Sequence, residues 1–399
     1  MCEDTAINRV TNMTSSESNS ISLDIHRPPR VLFPNKVAYP IPQNEMGINT
    51  PIRLSVSIFN KTSTRFRLHP LQPILPELLT LDGQIIQRRL VTDADFTNNQ
   101  QNTLLQRNQG REAVFFQIPP NCSSGFDFPA KFLWEHNILR LKIPTIPMFS
   151  PNSFHPTSFW CFDGLEAENY QLRWILNTYD ENTLSDESNI NRSITVGDIS
   201  SRMLATPWLN LRLVQPLSTD NRAIEVDGVR FKIEMPESVL TIPNRQTGNK
   251  TDVKLGIQVI NNTSNSLRFY QPSSIDMYLT DDENRAIQIL PEKISPGKPK
   301  LLTDYSVQSG KSAFFSLNGV ISWRNKNVLQ IAFPRKTRQQ FTGNDSYFNF
   351  GELTANQFYH LQVTYKIPES ATHLEKEVLE KVWTGWVTLP SVQLTLVEP

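Results

Sequence analysis

One stretch of this sequence occurs twice in nearly the same form. It reads RLSVSIFNKTSTRFRL from Arg53 and KLGIQVINNTSNSLRF from Lys254. In both copies apolar residues alternate with polar ones, which predicts a β-strand with one buried and one solvent-facing side. Both copies then continue into Asn-x-Thr-Ser, whose short polar side chains bond the local backbone and favour turns. The stretch therefore predicts the same strand and the same turn at two places in the chain.

The repetition continues beyond this stretch in the same order. NILRLKIP from Asn137 matches NVLQIAFP from Asn327, and PWLNLRLVQP from Pro207 matches PSVQLTLVEP from Pro390. Similar segments in the same order indicate an internal duplication rather than one chance similarity. Each copy contains about seven short strands separated by Pro, Asn, Asp and Gly, which is typical of a sandwich. We therefore predict an all-β protein of two tandem antiparallel β-sandwiches.

The domain boundaries follow from where the copies begin and end. A chain of 399 residues is too long for one ordinary core and suits two domains. We expect a disordered N-terminal tail at 1–23, a first sandwich at 24–216, a polar linker at 217–228 and a second sandwich at 229–399.

A leucine stands six residues before a tyrosine that opens an alternating strand in the second copy. This pair, Leu353 and Tyr359, resembles the tyrosine corner of immunoglobulin-like and fibronectin type III domains. The resemblance implies immunoglobulin-like sandwiches, and it implies that the Tyr359 hydroxyl bonds to backbone upstream. The first copy departs by one residue, since Leu165 lies five positions before Tyr170.

A second resemblance concerns the end of the repeated stretch. INNTSNSLRFYQPSS, from Ile260, is similar to bacterial intracellular proteinase inhibitor domains, in which an alternating strand runs into an Asn-rich turn and an extended aromatic segment. This likeness implies an alternative function, the inhibition of an intracellular protease by an exposed loop.

Charge and cysteine content narrow the classes of partner and compartment. Lys plus Arg equals Asp plus Glu at 39 each, so no overall field attracts nucleic acid or anionic lipid. The three cysteines show no C-x-x-C spacing, which argues against a disulfide scaffold or a thiolate zinc site. The chain lacks a secretory signal pattern and a long apolar run. We expect a cytoplasmic protein without membrane insertion or nucleic-acid binding.

Motifs for common catalytic chemistry are missing from the sequence. It contains no G-x-S-x-G, P-loop or G-x-G-x-x-G pattern, and its six histidines lack zinc-binding spacing. We therefore predict no enzyme activity, no catalytic residue, no cofactor and no metal. A hydrolase with a site between the two copies is the remaining enzymatic alternative.

The candidate partner-binding residues lie mainly where the copies differ. PPNCSSGFDFPAKFLWEH, from Pro119, contains extra residues of the first copy, and we interpret it as an aromatic loop that forms a lid or meets a partner. Packing of this loop on its own sandwich is the alternative. WTGW near the C-terminus adds two tryptophans, which can anchor an interface or stack on sugars. The candidates are Phe126, Phe128, Phe132, Trp134, Arg67, Arg268, Trp383 and Trp386.

These features favour a non-enzymatic protein-binding or scaffold protein. We expect it to act through loops and sheet edges, since an exposed edge can accept a strand from another protein. The alternatives are an intracellular proteinase inhibitor and a carbohydrate-binding module that uses Trp383 and Trp386. The partner is expected to be another protein, and the sequence leaves the oligomeric state open.

Overall fold

The computed structural model shows an arrangement of strands joined by turns and loops. It describes residues 21–27, 31–32, 37–45, 48–63, 65–68, 74–92, 116–145, 158–177, 203–245, 248–270, 274–282, 285–290, 304–324, 327–335, 346–367 and 381–399. No helix occurs within these ranges, so the described part of the chain is all-β. Residues 1–20 of the predicted tail lie outside the described residues, whereas residues 21–23 belong to the first strand.

The described strands are numbered in chain order. In the first half they are β1 Ile21–Arg27, β2 Val31–Leu32, β3 Val37–Pro40, β4 Asn49–Asn60, β5 Phe66–Leu68, β6 Ile74–Thr80, β7 Ile85–Ile86, β8 Arg88–Thr92, β9 Phe116–Ile118, β10 Ser123–Glu135, β11 Ile138–Pro144, β12 Ser158–Asp163, β13 Asn169–Asn177, β14 Met203–Ala205 and β15 Leu209–Val214. In the second half they are β16 Ala223–Val226, β17 Val229–Glu234, β18 Val239–Thr241, β19 Lys250–Val253, β20 Gly256–Asn261, β21 Leu267–Tyr270, β22 Ser274–Asp281, β23 Asp304–Val307, β24 Ser312–Ser316, β25 Gly319–Arg324, β26 Val328–Arg335, β27 Ser346–Phe350, β28 Phe358–Ile367, β29 Lys381–Val382, β30 Gly385–Thr388 and β31 Val392–Val397.

These strands form two large sheets and four smaller ones. The first large sheet has the order β2-β1-β4-β10-β11-β12-β8. The second follows the path β18-β31-β28-β30-β3-β15-β13-β6-β7, with β14 beside β13 and β22 beside β28. The smaller sheets are β16-β17-β20-β24, β19-β25-β26-β27, β23-β21-β29 and β5-β9. The second large sheet therefore contains strands from both halves of the chain.

Two hydrophobic clusters form separate cores between facing sheets. In the N-terminal core, Phe128 of the seven-stranded sheet stacks on Trp174 of the eleven-stranded sheet, with ring centroids 4.4 Å apart. In the C-terminal core, Phe231 of β17 lies 5.8 Å from Tyr365 of β28. Sheets that pack face to face with alternating inward side chains have the architecture of β-sandwiches.

Strand β3 connects the two halves within the shared sheet. It runs parallel to β15 on one side and parallel to β30 on the other. Val37 and Tyr39 enter the N-terminal core, whereas Ala38 between them enters the C-terminal core. On β30, Trp386 likewise enters the N-terminal core and Val387 enters the C-terminal core. The middle of this sheet is thus buried on both faces.

The repeated Asn-x-Thr segments form the same local structure in both halves. Asn60 and Asn261 are fully buried at the ends of β4 and β20. The amide oxygen of Asn60 accepts bonds from the Thr62 N–H at 3.0 Å and from its hydroxyl at 2.7 Å. The oxygen of Asn261 accepts the same pair from Thr263, at 3.0 and 2.6 Å. Each amide nitrogen also donates to a backbone carbonyl 2.8 Å away. The predicted turns are present.

Both candidate corner tyrosines bond to backbone upstream. The Tyr359 hydroxyl accepts from the Thr354 N–H at 2.8 Å and donates to the Thr354 carbonyl at 3.4 Å. Tyr170 makes the corresponding bonds to Glu166 at 2.8 and 3.3 Å. Both rings are at most 2% exposed, and burial raises the pKa of Tyr170. The bond expected for Tyr359 is present, and the one-residue difference in the first copy does not remove it there.

Part of the predicted linker is a strand. Residues 223–226 form β16, which pairs with β17 in an antiparallel hairpin. Asp227 and Gly228 make the two-residue turn with φ of 53° and 74°, as a type I′ turn requires. Ile224 of β16 is fully buried in the C-terminal core. The segment from 223 onward therefore belongs to the second half instead of forming a free connection.

Candidate functional site

The aromatic residues expected on a partner-binding loop lie on a core strand instead. β10 pairs with β4 along eleven residues and with β11 on its other side. Trp134 near its end is half-buried, and its indole N–H donates to the Pro42 carbonyl at 2.8 Å. The other three candidates are buried in the N-terminal core with at most 1% exposure: Phe126, Phe128 and Phe132. They alternate with less buried residues that face the other side of the sheet, so they have no surface to offer a partner.

This aromatic segment is also not an insertion. Val56 and Ile257 hold the same position in the two copies of the repeated stretch. Their cross-strand neighbours are Phe126 and Phe315, respectively. β10 therefore has a counterpart in β24 and β25, and the extra residues of the first half lie before β10. The sequence comparison wrongly placed these extra residues within PPNCSSGFDFPAKFLWEH, most of which is β10 itself.

The two C-terminal tryptophans are core residues as well. Trp383 is 7% exposed, and its ring lies 4.9 Å from Phe231 and 6.0 Å from Tyr365. Trp386 is 1% exposed and contacts the N-terminal core, with the Lys366 ammonium 4.7 Å from its ring centroid. Stacking on a sugar needs an exposed ring face, and neither tryptophan has one in this structure.

The two candidate arginines lie on short strands. Arg67 is in β5, and its side chain lies outside the described residues. Arg268 is in β21, where its backbone carbonyl accepts from the Trp383 N–H at 3.0 Å. The structure therefore brings Arg268 and Trp383 together. The other aromatic candidates belong to the N-terminal core or, in the case of Trp134, pack against it.

A surface that lies outside the candidate residues is the edge formed by β7 and β8. β7 ends the eleven-stranded sheet and β8 ends the seven-stranded sheet, so the chain crosses between sheets at Gln87. In the described part of the chain, β8 pairs only with β12 and β7 only with β6. Three large apolar side chains here are more than half exposed: Leu81 at 63%, Ile85 at 59% and Leu90 at 56%.

Two arginines give this edge a basic character. The Arg88 guanidinium lies 5.6 Å from the Trp160 ring centroid. Arg89 bonds to the Asp163 carboxylate at 2.8 Å and keeps over half of its side chain exposed. Asp163 also bonds to Arg140, which is buried on the neighbouring strand. β8 thus presents two consecutive basic residues followed by the exposed Leu90, and an exposed edge strand can pair with a further strand.

The thiol of Cys161, beside this edge, has no exposed surface. Cys161 of β12 pairs across strands with Arg89 and is fully buried. Burial raises the pKa of this thiol, although the nearby cations oppose the shift. The group is thus held as a neutral thiol within the sheet.

Another exposed aromatic, Phe314 on β24, has a local explanation. Its ring lies over Gly256 on the neighbouring strand, where a Cβ atom would come within 2.1 Å of the ring. Because Gly256 has no side chain, the Phe314 ring can lie directly on the backbone of β20. Phe314 therefore shields this strand even though Phe314 itself is 55% exposed. This exposure is explained by strand packing, unlike that of Leu90.

A cavity of about 230 Å³ lies where β3 leaves the shared sheet. Pro40 and Pro42 form one wall, and His360 of β28 and Gln393 of β31 contribute another. Burial lowers the pKa of His360, and the neighbouring Asp282 carboxylate partly opposes this. The imidazole is therefore neutral near pH 7 and lies between the two halves of the chain.

The described residues hold no group of three or more His, Cys, Asp or Glu side chains arranged to bind a metal ion. They also contain no helix of the length and apolar character that a membrane crossing requires.

No protein-family model matches this sequence, and no curated protein matches it.

Proposed function

We propose that the two halves are immunoglobulin-like sandwiches that arose by duplication. Three details support this proposal, because they recur at matching positions of the chain. The first is the tyrosine corner at Tyr170 and Tyr359, and the second is the buried asparagine at Asn60 and Asn261. Hydrogen bonds of this specificity are not needed for a generic β-sandwich, so their shared presence favours common origin over convergence.

The third detail is a pair of tryptophans at the far end of the matching strands. The Trp134 indole donates to the Pro42 carbonyl at 2.8 Å, and the Trp323 indole donates to the Pro243 carbonyl at 2.7 Å. Both prolines lie in segments that precede the repeated stretch at equal spacing. The two halves therefore share their first connection as well as their corner.

We propose further that the protein works as a non-enzymatic binding protein that pairs with an extended segment of another protein at β8. The observation that carries this proposal is the exposed Leu90 on an edge strand whose other side has no strand in the described part of the chain. Alternate residues of β8 direct their N–H and C=O groups away from β12. Such groups provide affinity through main-chain hydrogen bonds, and the side chains provide selectivity.

The chemistry of β8 indicates the composition of the partner segment. Leu90 favours an apolar residue at the position opposite it in the added strand. Arg88 and Arg89 favour an acidic residue beside it, since opposite charges on adjacent strands attract. The expected ligand is an extended peptide that carries acidic residues next to an apolar one.

Binding of selected peptides tests this function. Peptides chosen from a random display library against the purified chain should be extended, acidic and apolar, and they should slow amide hydrogen exchange at residues 88–92. N-methylation of alternate backbone nitrogens in one phase should abolish binding, whereas methylation in the other phase should leave it intact. This difference is specific to strand addition, because only one phase of the added strand faces β8.

Two variants locate the binding site. Leu90→Asp should weaken peptide binding at least tenfold, because it places a carboxylate at the apolar contact. Val239→Asp is the matched control, since Val239 is 59% exposed on another edge strand, β18. Equal binding by Leu90→Asp and the parent chain, or exchange protection away from β8, would contradict the proposal.

A further inference from the structure

The place that β3 occupies has the properties of a peptide-binding groove. The strand has four residues, and its neighbours β15 and β30 belong to opposite halves of the chain. The segments on either side of β3 are loops or lie outside the described residues. β3 therefore fills a gap between two strands that are otherwise not paired with each other in the described structure.

The register shows how the groove holds the strand. Residues 37–40 pair in parallel with residues 211–214 of β15. Residues 37–38 pair in parallel with residues 386–387 of β30. Hydrogen bonding then continues past the strand, since the Ile41 N–H donates to the Val214 carbonyl at 2.9 Å. The backbone of β3 is thus held along its length from one side and at its start from the other.

The side chains of β3 pack in two different cores. Val37 and Tyr39 are 1% exposed in the N-terminal core, and Ala38 is 3% exposed in the C-terminal core. The pattern is a large apolar residue, a small residue and an aromatic one. A larger side chain at position 38 would have to displace a packed core, because protein interiors leave little free volume.

The end of the strand is also fixed by contacts from the first half. The Pro40 carbonyl accepts a bond from the buried Thr50 hydroxyl at 2.9 Å. The Pro42 carbonyl accepts the Trp134 indole N–H at 2.8 Å. The prolines themselves restrict the backbone, so the segment leaves the groove in one defined direction.

We propose that the space between β15 and β30 is a strand-acceptor groove, occupied by residues 37–40 of this chain and able to bind the same segment supplied as a separate peptide. The ligand class is an extended peptide, parallel to both neighbours, with the pattern large apolar, small, aromatic, proline. Strand β3, which occupies this groove, holds the two halves in one sheet. The groove is distinct from the edge at β8, so neither proposal depends on the other.

A variant that empties the groove gives the first test. Ala38→Glu should expel β3, because an uncompensated carboxylate cannot be buried in the C-terminal core at this position. Amide hydrogens of β15 and β30 should then exchange at least tenfold faster, whereas those of β4 and β20 should keep their protection. Loss of protection throughout the chain in both this variant and the milder Ala38→Leu would show that β3 is inseparable from both cores, and unchanged protection would show that it does not hold the sheet. Either result overturns the proposal.

The peptide gives the second test. A labelled peptide of residues 35–42, NKVAYPIP, should bind the Ala38→Glu chain and restore slow exchange at β15 and β30. It should bind the parent chain at least tenfold more weakly, because the groove is already filled, and a scrambled peptide should bind neither. Absence of binding to Ala38→Glu overturns the proposal.

A matched control separates the groove from general destabilisation. Ala130 is also 3% exposed, but it lies in β10 of the N-terminal core. Ala130→Glu should speed exchange in the N-terminal half without creating a site for the peptide. If the Ala38→Glu chain does not fold, Ala38→Leu replaces it, since overpacking should produce the same pattern of exchange with a smaller rise. Peptide binding to Ala130→Glu that equals binding to the position-38 variant overturns the assignment of the groove.

Discussion

At the scale of single residues, the two buried asparagines have a structural role that their polarity hides. An asparagine in a turn motif is usually solvated, and the sequence predicts the turn but not the burial. In the structure, Asn60 and Asn261 each close a turn with their oxygen and join a second segment with their nitrogen. They therefore act as hydrogen-bonded crosslinks inside the sandwich.

Replacing Asn261 tests this role. Asn261→Ala should lower the free energy of unfolding by about 2 to 3 kcal/mol, because it leaves buried backbone groups without their partners. Urea unfolding followed by fluorescence measures the change. Asn262→Ala is the neighbouring control, since Asn262 is exposed and its side-chain amide donates to the Glu225 carboxylate at the surface. Its effect should stay within about 0.5 kcal/mol, and an equal loss in both variants would contradict the crosslink.

At the scale of elements, the sequence predicts strands well where one face of the strand is exposed to solvent. The alternation of β4 and β20 is visible directly, and so are the turns that end them. The Asp-Gly pair at Asp227 marks the hairpin of β16 and β17 and lay within the reach of sequence reasoning. The polar residues before it led instead to the interpretation of a linker.

Other elements could not be predicted from alternation. β3 and β30 are buried on both faces, so they lack the polar phase that identifies a strand. The interpretation of residues 119–136 as an aromatic loop was wrong for a related reason. The position of an insertion can be read only from cross-strand pairs such as Phe126 with Val56. Pairing is a long-range property, which one sequence does not display. The position of β8 at the edge of a sheet likewise depends on which strands pair with each other.

The assignment of β10 to the core leads to a quantitative expectation. Phe128→Ala should destabilise the chain by about 3 to 5 kcal/mol, because it removes a fully buried ring that stacks on Trp174. Phe314→Ala, which changes a ring that is 55% exposed, should cost markedly less. Thermal unfolding of both variants makes the comparison. A Phe128→Ala chain as stable as the parent would contradict the assignment of β10 to the core.

At the scale of the whole molecule, the junction between the halves contains a titratable group. Burial lowers the pKa of His360 below its ordinary value of 6.5 in the folded state. The unfolded chain therefore binds this proton at a higher pH than the folded chain does, and stability falls as pH drops below about 6.5. The Asp282 carboxylate partly opposes the lowering of this pKa, and Glu45 and Arg222 line the same cavity as His360.

Removing the imidazole isolates this contribution from those of the other histidines. His360→Gln should reduce the loss of stability between pH 7 and pH 5, while it leaves stability at pH 8 nearly unchanged. Unfolding midpoints in urea at each pH provide the measurement. Parallel pH profiles for the variant and the parent chain would show that the junction does not sense protons.

The parallel strand that joins the halves has a mechanical consequence. A pull on the chain before Val37, directed along the strand, loads the bonds between β3 and β15 together instead of opening them one at a time. Tension applied there is carried into both cores at once, because neighbouring side chains of β3 are anchored in different ones. A short strand can in this way act as the tension-bearing joint of the molecule, and the halves on either side would yield only after it slides.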